Sequence, residues 1–199
     1  GRNYTHIINV KWHLTKIILL FAILMMSKGD IHMQDISRII NKIKEANHTS
    51  STIHIAYHIA SVAHYTQLRA NNDPYIVHPL GILKQYDYLT YLSDDEETSL
   101  NVDYLVDYHI PFVGIREVIL LHDVVEDTEY THEDIRYIYE TLGHKDYFDK
   151  YINIPLRYIT HNKEDDYDTY INKVLENPTA SLVKLLDLNN NLNLFGLSR

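Results

Sequence analysis

Apolar residues recur every three or four positions through most of the chain. Residues 31–46 carry Ile36, Ile39, Ile40 and Ile43 at this spacing, and residues 52–69 carry Ile55, Ile59, Val62 and Ala63. Side chains at this spacing lie on one face of an α-helix. Glycine and proline, which interrupt helices, number only 6 and 5 in the 199 residues. Because no alternating strand pattern is convincing, the sequence predicts an all-α fold.

The same spacing sets the extent of the individual helices. We expect helices over residues 31–46, 52–69, 75–89 with an interruption at Pro79, 112–125, 133–143, 147–163, 167–177 and 178–194. The acidic stretch 93–104 is expected to be a surface loop with a short helix.

Three local signals predict where helices begin or end. Thr131 followed by Asp134 resembles a capping box, with Asp a weaker partner than Glu or Gln. Gly143 is placed to end a helix, because glycine adopts the left-handed conformation readily. Asn177 before Pro178 predicts an N-cap followed by the first residue of the last helix.

The charge of the chain restricts its ligands. The net charge is −9 with histidine neutral, which argues against binding to a nucleic-acid polymer. A small anionic substrate stays possible, because a metal ion and a few basic side chains can reverse the local field. The chain has no cysteine, which excludes disulfides and cysteine-based zinc sites. This composition is compatible with a reducing compartment, and we expect a cytoplasmic protein.

The N-terminal residues 1–30 form an extension whose status the sequence leaves open. Residues 17–26 are a run of ten apolar residues after two lysines. A bilayer span needs about 20 such residues, so we expect no membrane-spanning helix here. The run has the proportions of a signal-peptide core, but no clean cleavage site follows. A start at Met25 or Met26, a signal or anchor, and an ordinary core helix are the three alternatives.

Residues 120–128, "LLHDVVEDT", place ionisable side chains at the end of an apolar helix. On a helix, His122 and Glu126 share one face, as do Asp123 and Asp127. Burying carboxylates is costly unless they are paired or coordinate a metal. Imidazole and carboxylate together suit Zn, Mn or Fe rather than a calcium site. The pattern therefore predicts a divalent-metal site.

Neighbouring side chains cannot complete a metal shell, so other ligands must come from distant helices. The candidates are His64, in "ASVAHYTQLR", and Asp187, in "LVKLLDLNNN", because both lie among apolar residues. His54 and His58 are also four residues apart and could chelate a metal, but nothing else in the sequence supports that site.

Three stretches in order resemble the HD-domain hydrolases of the RelA/SpoT type. They are "AHYTQLRANNDPYIVHPLGI" (63–82), "LLHDVVEDT" (120–128) and "VKLLDLNNNL" (183–192). The family patterns are AHxGQxRxxGxPYIxHP, LLHDVVEDT and VKLADxxxN, and the middle one matches at all nine positions. The resemblance is greatest to the short, stand-alone members. It implies an HD-domain helical bundle over residues 31–199.

The resemblance also implies roles for particular residues. A divalent metal, usually manganese, would be held by His64, His122, Asp123 and Asp187. Glu126 and Asp127 match the catalytic acidic pair, which orients or deprotonates the attacking water. The residues expected to contact the substrate or shape its pocket are Arg69, Tyr75, His78, Lys163, Lys184 and Asn191.

The implied reaction is hydrolysis of the 3′-pyrophosphate of (p)ppGpp, which gives GDP or GTP and pyrophosphate. The partner is then a small nucleotide, and the sequence makes no prediction of oligomeric state. Thr66 and Asn72 replace two family glycines, and Leu186 replaces a small residue. Two alternatives therefore stay open. One is an HD phosphohydrolase of another nucleotide, such as a dNTP, a monophosphate, NADPH or a cyclic nucleotide. The other is a catalytically degenerate module that binds a nucleotide or a protein.

Overall fold

Helices form nearly all the secondary structure of the described residues, 28–91 and 113–194, in this computed structural model. Within these residues there is no strand, only an isolated bridge between Leu68 and Pro74. The predicted all-α class is confirmed. None of the described helices is both long enough and apolar enough to cross a membrane.

The described residues form ten α-helices. They are α1 (Lys28–Glu45), α2 (Thr52–Ala63), α3 (Val77–Tyr91), α4 (Ile115–Leu121), α5 (Val124–Asp127), α6 (His132–Thr141), α7 (Lys145–Tyr147), α8 (Asn153–Ile159), α9 (Tyr167–Leu175) and α10 (Pro178–Leu194). The segment Phe148–Ile152 joins α7 to α8 as a short π-helix.

The chain divides into two compact units, Gly1–Arg38 and Ile39–Arg199. In the described part of the first unit, Ser37 donates a hydrogen bond to the backbone oxygen of Met33. The second unit contains every candidate site residue. The predictions for residues 17–26 and 93–104 lie outside the described residues.

Helix α4 lies at the centre of the second unit. It packs against α2, α3 and α10, and Ile115, Ile119 and Leu121 are each fully buried. Burying one such side chain contributes about 1.5–3 kcal/mol. The apolar helix before "HDVVEDT" is therefore a core helix that delivers its C-terminal residues into the interior.

Three predicted helix limits are wrong. Helix α2 ends at Ala63 rather than 69, because the chain turns and the amide of Gln67 bonds to the carbonyl of His64. Helix α3 runs through Pro79, which is its third residue. Proline is tolerated there because the first-turn amides of a helix have no intrahelical acceptor. The helix predicted to reach 163 ends at Ile159.

The predicted capping signals are confirmed. Thr131 and Asp134 bond reciprocally as a capping box at the start of α6. Gly143 has φ of 85°, and its amide bonds to the carbonyl of Glu140. The side chain of Asn177 accepts a hydrogen bond from the amide of Ala180, at 2.9 Å, in the first turn of α10.

Gly114, just before α4, occupies a place that no side chain can enter. Its φ is 87°, and a Cβ there would lie 2.6 Å from the carbonyl oxygen of Tyr151. We expect Gly114→Ala to lower the free energy of unfolding by about 2–5 kcal/mol, from left-handed strain and overpacking together. Gly143→Ala causes similar left-handed strain, but the added Cβ would meet no atom within 4 Å. We expect it to cost only about 1–2 kcal/mol. Urea denaturation measures the free energy of unfolding of both variants. Equal losses in Gly114→Ala and Gly143→Ala would contradict the steric argument.

Candidate metal centre

His122 and Asp123 occupy a turn between α4 and α5. The helix predicted over 112–125 is interrupted there, because α4 ends at Leu121 and α5 begins at Val124. Nδ1 of His122 lies 2.8 Å from the backbone oxygen of Ile119, to which it donates a hydrogen bond. The other ring nitrogen, Nε2, is therefore unprotonated in the neutral imidazole and points into the protein. The side chain is only 3% exposed.

Two more helices bring side chains to this turn. Asp187 of α10 and His78 of α3 are both buried, and Nε2 of His78 lies 3.0 Å from Oδ1 of Asp187. Nε2 of His78 is also 3.6 Å from Oδ2 of Asp123, and Nε2 of His122 is 3.8 Å from Oδ1 of Asp187. Among the described residues, the ligand atoms of His78, His122 and Asp123 all lie within 4.8 Å of one another.

Nε2 of His122 and a carboxylate oxygen of Asp123 are as far apart as two ligands of one cation would be. Nε2 lies 2.9 Å from Oδ2 of Asp123 but makes no hydrogen bond, so the two atoms lack the required alignment. Two ligand atoms about 2.1 Å from one cation, at angles of about 90–110°, are about 3.0–3.4 Å apart. The distance between Nε2 of His122 and Oδ2 of Asp123 therefore fits two ligands of one metal ion.

His64 caps α2 and lies beside the cluster. Its ring centroid is 4.5 Å from that of Tyr75, whose hydroxyl donates a hydrogen bond to Oδ2 of Asp123. His64 is 2% exposed, and its Nε2 is buried without a hydrogen-bond partner. In this arrangement His64 stands outside the group of atoms that lie within 4.8 Å, whereas His78 stands inside it.

Two buried carboxylates of the site are ionised and hold positive charge beside them. Burial raises the pKa of Asp123, but His122 and a hydrogen bond from Tyr75 outweigh it and hold the pKa at about 2. Burial likewise raises the pKa of Asp187, but the neighbouring imidazoles of His122 and His78 and the charge of Lys184 lower it overall. Both carboxylates are therefore ionised at neutral pH inside the protein. Burial lowers the pKa of His122, but the two carboxylates outweigh it and raise the pKa to about 10. Without an ion the imidazole is protonated, and a bound cation would take the place of its Nε2 proton.

His64 has the protonation state that a ligand needs. Burial lowers its pKa, and the hydrogen bond to Gln67 and the charge on Asp123 only partly oppose that shift. Neutral imidazole is the form that binds metals.

Two predicted substrate-contact residues, Lys184 and Asn191, make hydrogen bonds to Asp187. Nζ of Lys184 lies 2.9 Å from Oδ2 of Asp187, and burial, which lowers the pKa of Lys184, is outweighed by this carboxylate. Nδ2 of Asn191 donates to Oδ1 of Asp187 at 2.9 Å. Both side chains therefore orient the candidate ligand.

Arg69 extends this network toward α3. Its Nη2 donates to Oδ1 of Asn191 at 3.0 Å, and Nη1 lies 3.5 Å from Oδ1 of Asn190. The same oxygen of Asn190 lies 2.9 Å from Nδ1 of His78, so both ring nitrogens of His78 have polar partners. Arg69 thus ties the first turn after α2 to the last turns of α10.

The predicted catalytic acids lie at the edge of the centre. Oε2 of Glu126 accepts a hydrogen bond from the amide of His161 at 3.2 Å. Burial raises the pKa of Glu126; the bond from His161 opposes this shift, and the charges of Asp123 and Asp127 add to it. Asp127 is exposed, and its Oδ2 accepts a hydrogen bond from Nε2 of Gln67 at 3.3 Å.

A cleft of about 490 Å³ opens beside Glu126. It is lined by Val125, Glu126, Thr160, His161, Asn162, Lys163, Glu164 and Asp165. Lys163 is exposed at this cleft, where its ammonium can reach a bound anion. The predicted Lys163 and Glu126 therefore border one open space.

Two residues that differ from the quoted family patterns are accommodated by the fold. Asn72 replaces a glycine and has φ of 66°, the left-handed conformation that asparagine tolerates. Leu186, which replaces a small residue, is buried in the core at 2% exposure.

Sequence reasoning missed Gln67 and Asn190 as site residues. Gln67 matches the Gln of the quoted pattern AHxGQxR but was given no role, and Asn190 lies three residues after Asp187, so the motif and helical spacing are signals that could have drawn attention to them. A scan of the chain against models of known protein families found no match. The family resemblance therefore rests on the three motifs quoted above.

Proposed function

We propose that the chain is a metal-dependent hydrolase that removes the 3′-pyrophosphate of (p)ppGpp, with an HD-domain helical bundle over residues 31–199. One observation carries the proposal. Nε2 of His122 is buried without a hydrogen-bond partner, 2.9 Å from Oδ2 of Asp123, and Nε2 of His78 lies 3.0 Å from Oδ1 of Asp187. Buried polar groups of this kind call for an explanation, and a bound cation supplies one. The choice of this particular reaction rests on the resemblance of the three sequence motifs to the RelA/SpoT-type hydrolases.

The donor set fits a first-row divalent ion. Two imidazole nitrogens, from His78 and His122, and two carboxylates, from Asp123 and Asp187, suit manganese, iron or zinc. When bound, such an ion lowers the pKa of water and polarises a phosphoryl oxygen. Nδ1 of His78 faces the side-chain oxygen of Asn190, so its Nε2 points at the carboxylates, within the group of atoms that could hold one ion. His64, which the resemblance names, lies outside that group, and we therefore assign the second imidazole ligand to His78.

The surrounding side chains have separate tasks in this proposal. Glu126 is the general base, because its raised pKa makes it a better proton acceptor near neutral pH. Tyr75 holds Asp123 through its hydroxyl, and Lys184 holds Asp187. Lys163, exposed at the cleft, supplies positive charge to the phosphates of the substrate.

The substrate in this proposal is a small nucleotide and not a polymer, in keeping with the net charge of −9. Manganese is the proposed metal, and the cytoplasm, where guanine nucleotides are abundant substrates, is the proposed location.

A substrate panel tests the proposed reaction. The protein with Mn²⁺ is incubated with ppGpp, pppGpp, GTP, dNTPs, NADPH, cyclic nucleotides and 5′-monophosphates, and the products are separated by ion-exchange chromatography. We expect pyrophosphate from the first two only, and none after EDTA. Turnover of another nucleotide alone would favour a different HD phosphohydrolase. Bound Mn²⁺ without any turnover would favour the binding module.

A further inference from the structure

The side chain of Asn190, on α10, lies against His78 of α3. Its Oδ1 is 2.9 Å from Nδ1 of His78, whose side chain is only 2% exposed. The other ring nitrogen of His78, Nε2, lies 3.0 Å from Oδ1 of Asp187, within the group of atoms that could hold one ion. Asn190 therefore contacts a proposed ligand on the side that faces away from the ion.

A glycine on α3 leaves room for this amide. Gly81 and His78 are three residues apart on the helix and share one face. A Cβ at Gly81 would lie 3.1 Å from Nδ2 of Asn190 and 3.9 Å from its Cγ. The shorter distance is below the optimal separation of about 3.5–4.0 Å between non-bonded atoms, so a side chain at position 81 would displace the amide. The Asn190 amide is thus confined between Gly81 and His78.

Arg69 determines which end of the Asn190 amide faces His78. Its Nη1 lies 3.5 Å from Oδ1 of Asn190, and its Nη2 donates to Oδ1 of Asn191 at 3.0 Å. A guanidinium only donates hydrogen bonds, so the amide end that faces Arg69 must be the oxygen. The same oxygen faces Nδ1 of His78 and can only accept there, so Nδ1 carries a hydrogen. A cation can then bind this imidazole only through Nε2, where it would take the place of any proton that Nε2 shares with Asp187.

We propose that Asn190 is a positioning residue that orients the imidazole of His78 so that Nε2 faces the candidate ion. The inference rests on the proposed function for the presence of the ion, but not for the identity of the nucleotide. Histidines that bind metals usually donate their other ring N–H to an acceptor that fixes the ring, and Asn190 is such an acceptor. Arg69 and Gly81 act through the amide of Asn190.

Equilibrium dialysis of chelator-treated protein against Mn²⁺ tests this role. Asn190→Leu removes the acceptor and keeps a side chain of similar size. We expect it to weaken Mn²⁺ binding by about 10–100-fold, the usual effect of losing a ligand-orienting partner. Asn190→Asp keeps an oxygen for Nδ1 of His78 and should retain most of the affinity. Asn172→Leu is the control, because it makes the same change at an exposed position of α9 and should have no effect.

Gly81→Ala tests the position of the amide without changing Asn190 or His78. Alanine is a better helix former than glycine, so weaker Mn²⁺ binding in this variant would not come from a weaker helix α3. We expect a smaller loss of affinity than in Asn190→Leu, because the new Cβ displaces the amide but does not remove it. In an Asn190→Ala background the same change at Gly81 should have no effect, since two residues that act through one contact are not additive.

A spectroscopic signature separates the orientation of His78 from a general effect on the fold. Zn²⁺ is diamagnetic and replaces Mn²⁺ for ¹H–¹⁵N NMR of the imidazole groups. The Nδ1 proton of His78 is hydrogen-bonded and buried, so we expect it to exchange slowly with water and to give a resolved signal in the wild type. The signal should be lost in Asn190→Leu and present in Asn190→Asp.

Equal Mn²⁺ affinity in Asn190→Leu and wild type, or an unchanged His78 Nδ1 proton signal in Asn190→Leu, would overturn the inference. If circular dichroism shows that Asn190→Leu does not fold, Gly81→Ala decides, because unchanged Mn²⁺ affinity in that variant also overturns the role of Asn190. Wild type that binds neither Mn²⁺ nor Zn²⁺ would overturn the inference together with the metal centre. Wild type that binds Mn²⁺ but leaves ppGpp intact would refute only the proposed reaction, and the dependence of affinity on residue 190 would stand.

Discussion

Replacing Asp123 by alanine is expected to weaken Mn²⁺ binding by more than about 100-fold, beyond the loss caused by removing a ligand-orienting partner. Pyrophosphate release from ppGpp should fall below detection. Asp123 is held by Tyr75 and by the close approach of His122, and its pKa of about 2 keeps it ionised. Its removal takes away one of the two carboxylates that lie beside His122.

Equilibrium dialysis of chelator-treated protein against Mn²⁺ measures the effect directly. The matched control is Asp168→Ala, which removes an exposed carboxylate in the first turn of α9. The control should bind Mn²⁺ as wild type does. Full activity or unchanged affinity in the Asp123 variant would remove this residue from the site.

Replacing Glu126 by glutamine is expected to slow the chemical step by about 10²–10⁴-fold, the typical contribution of a general base. Mn²⁺ affinity should be unchanged. The amide keeps an oxygen for the hydrogen bond from the backbone of His161, so the local structure is preserved. What it loses is the capacity to take a proton, which the raised pKa of Glu126 favours near neutral pH.

Single-turnover release of pyrophosphate separates the chemical step from binding. Glu129→Gln is the control, because it makes the same change three residues away on an exposed side chain. Equal rates in the Glu126 and Glu129 variants would show that Glu126 takes no part in proton transfer. Asp127→Ala should likewise retain Mn²⁺ and turn over slowly.

The helices were predictable because each buries one face. Regular apolar spacing identified α2 and α4, and short-range signals identified the caps at Thr131, Gly143 and Asn177. Helix ends without such signals were not predictable. The end of α2 at Ala63 depends on hydrogen bonds of a turn that reaches Tyr75, and periodicity carries no information about such a turn.

The candidate site was predictable where polar side chains interrupt apolar helices. His122, Asp123 and Asp187 are polar residues beside buried neighbours, and such positions require a partner. Gln67 and Asn190 differ, because amide side chains are common on helix and loop surfaces. Their roles depend on which groups the fold brings within hydrogen-bond distance.

His78 is the residue whose position differs most from expectation. The resemblance assigned it to the substrate pocket, and its Nε2 lies among the carboxylates of Asp123 and Asp187. Its place follows from α3 packing against α4 and α10, a tertiary arrangement that no local pattern specifies.

The central claim is that His78, His122, Asp123 and Asp187 hold one divalent cation. A crystal grown with Mn²⁺ and measured on both sides of the manganese absorption edge tests it most directly. We predict one anomalous peak about 2.0–2.4 Å from Nε2 of His78, Nε2 of His122 and the two carboxylates. A map without that peak, or a peak coordinated by His64 with His78 outside bonding distance, would contradict the assignment.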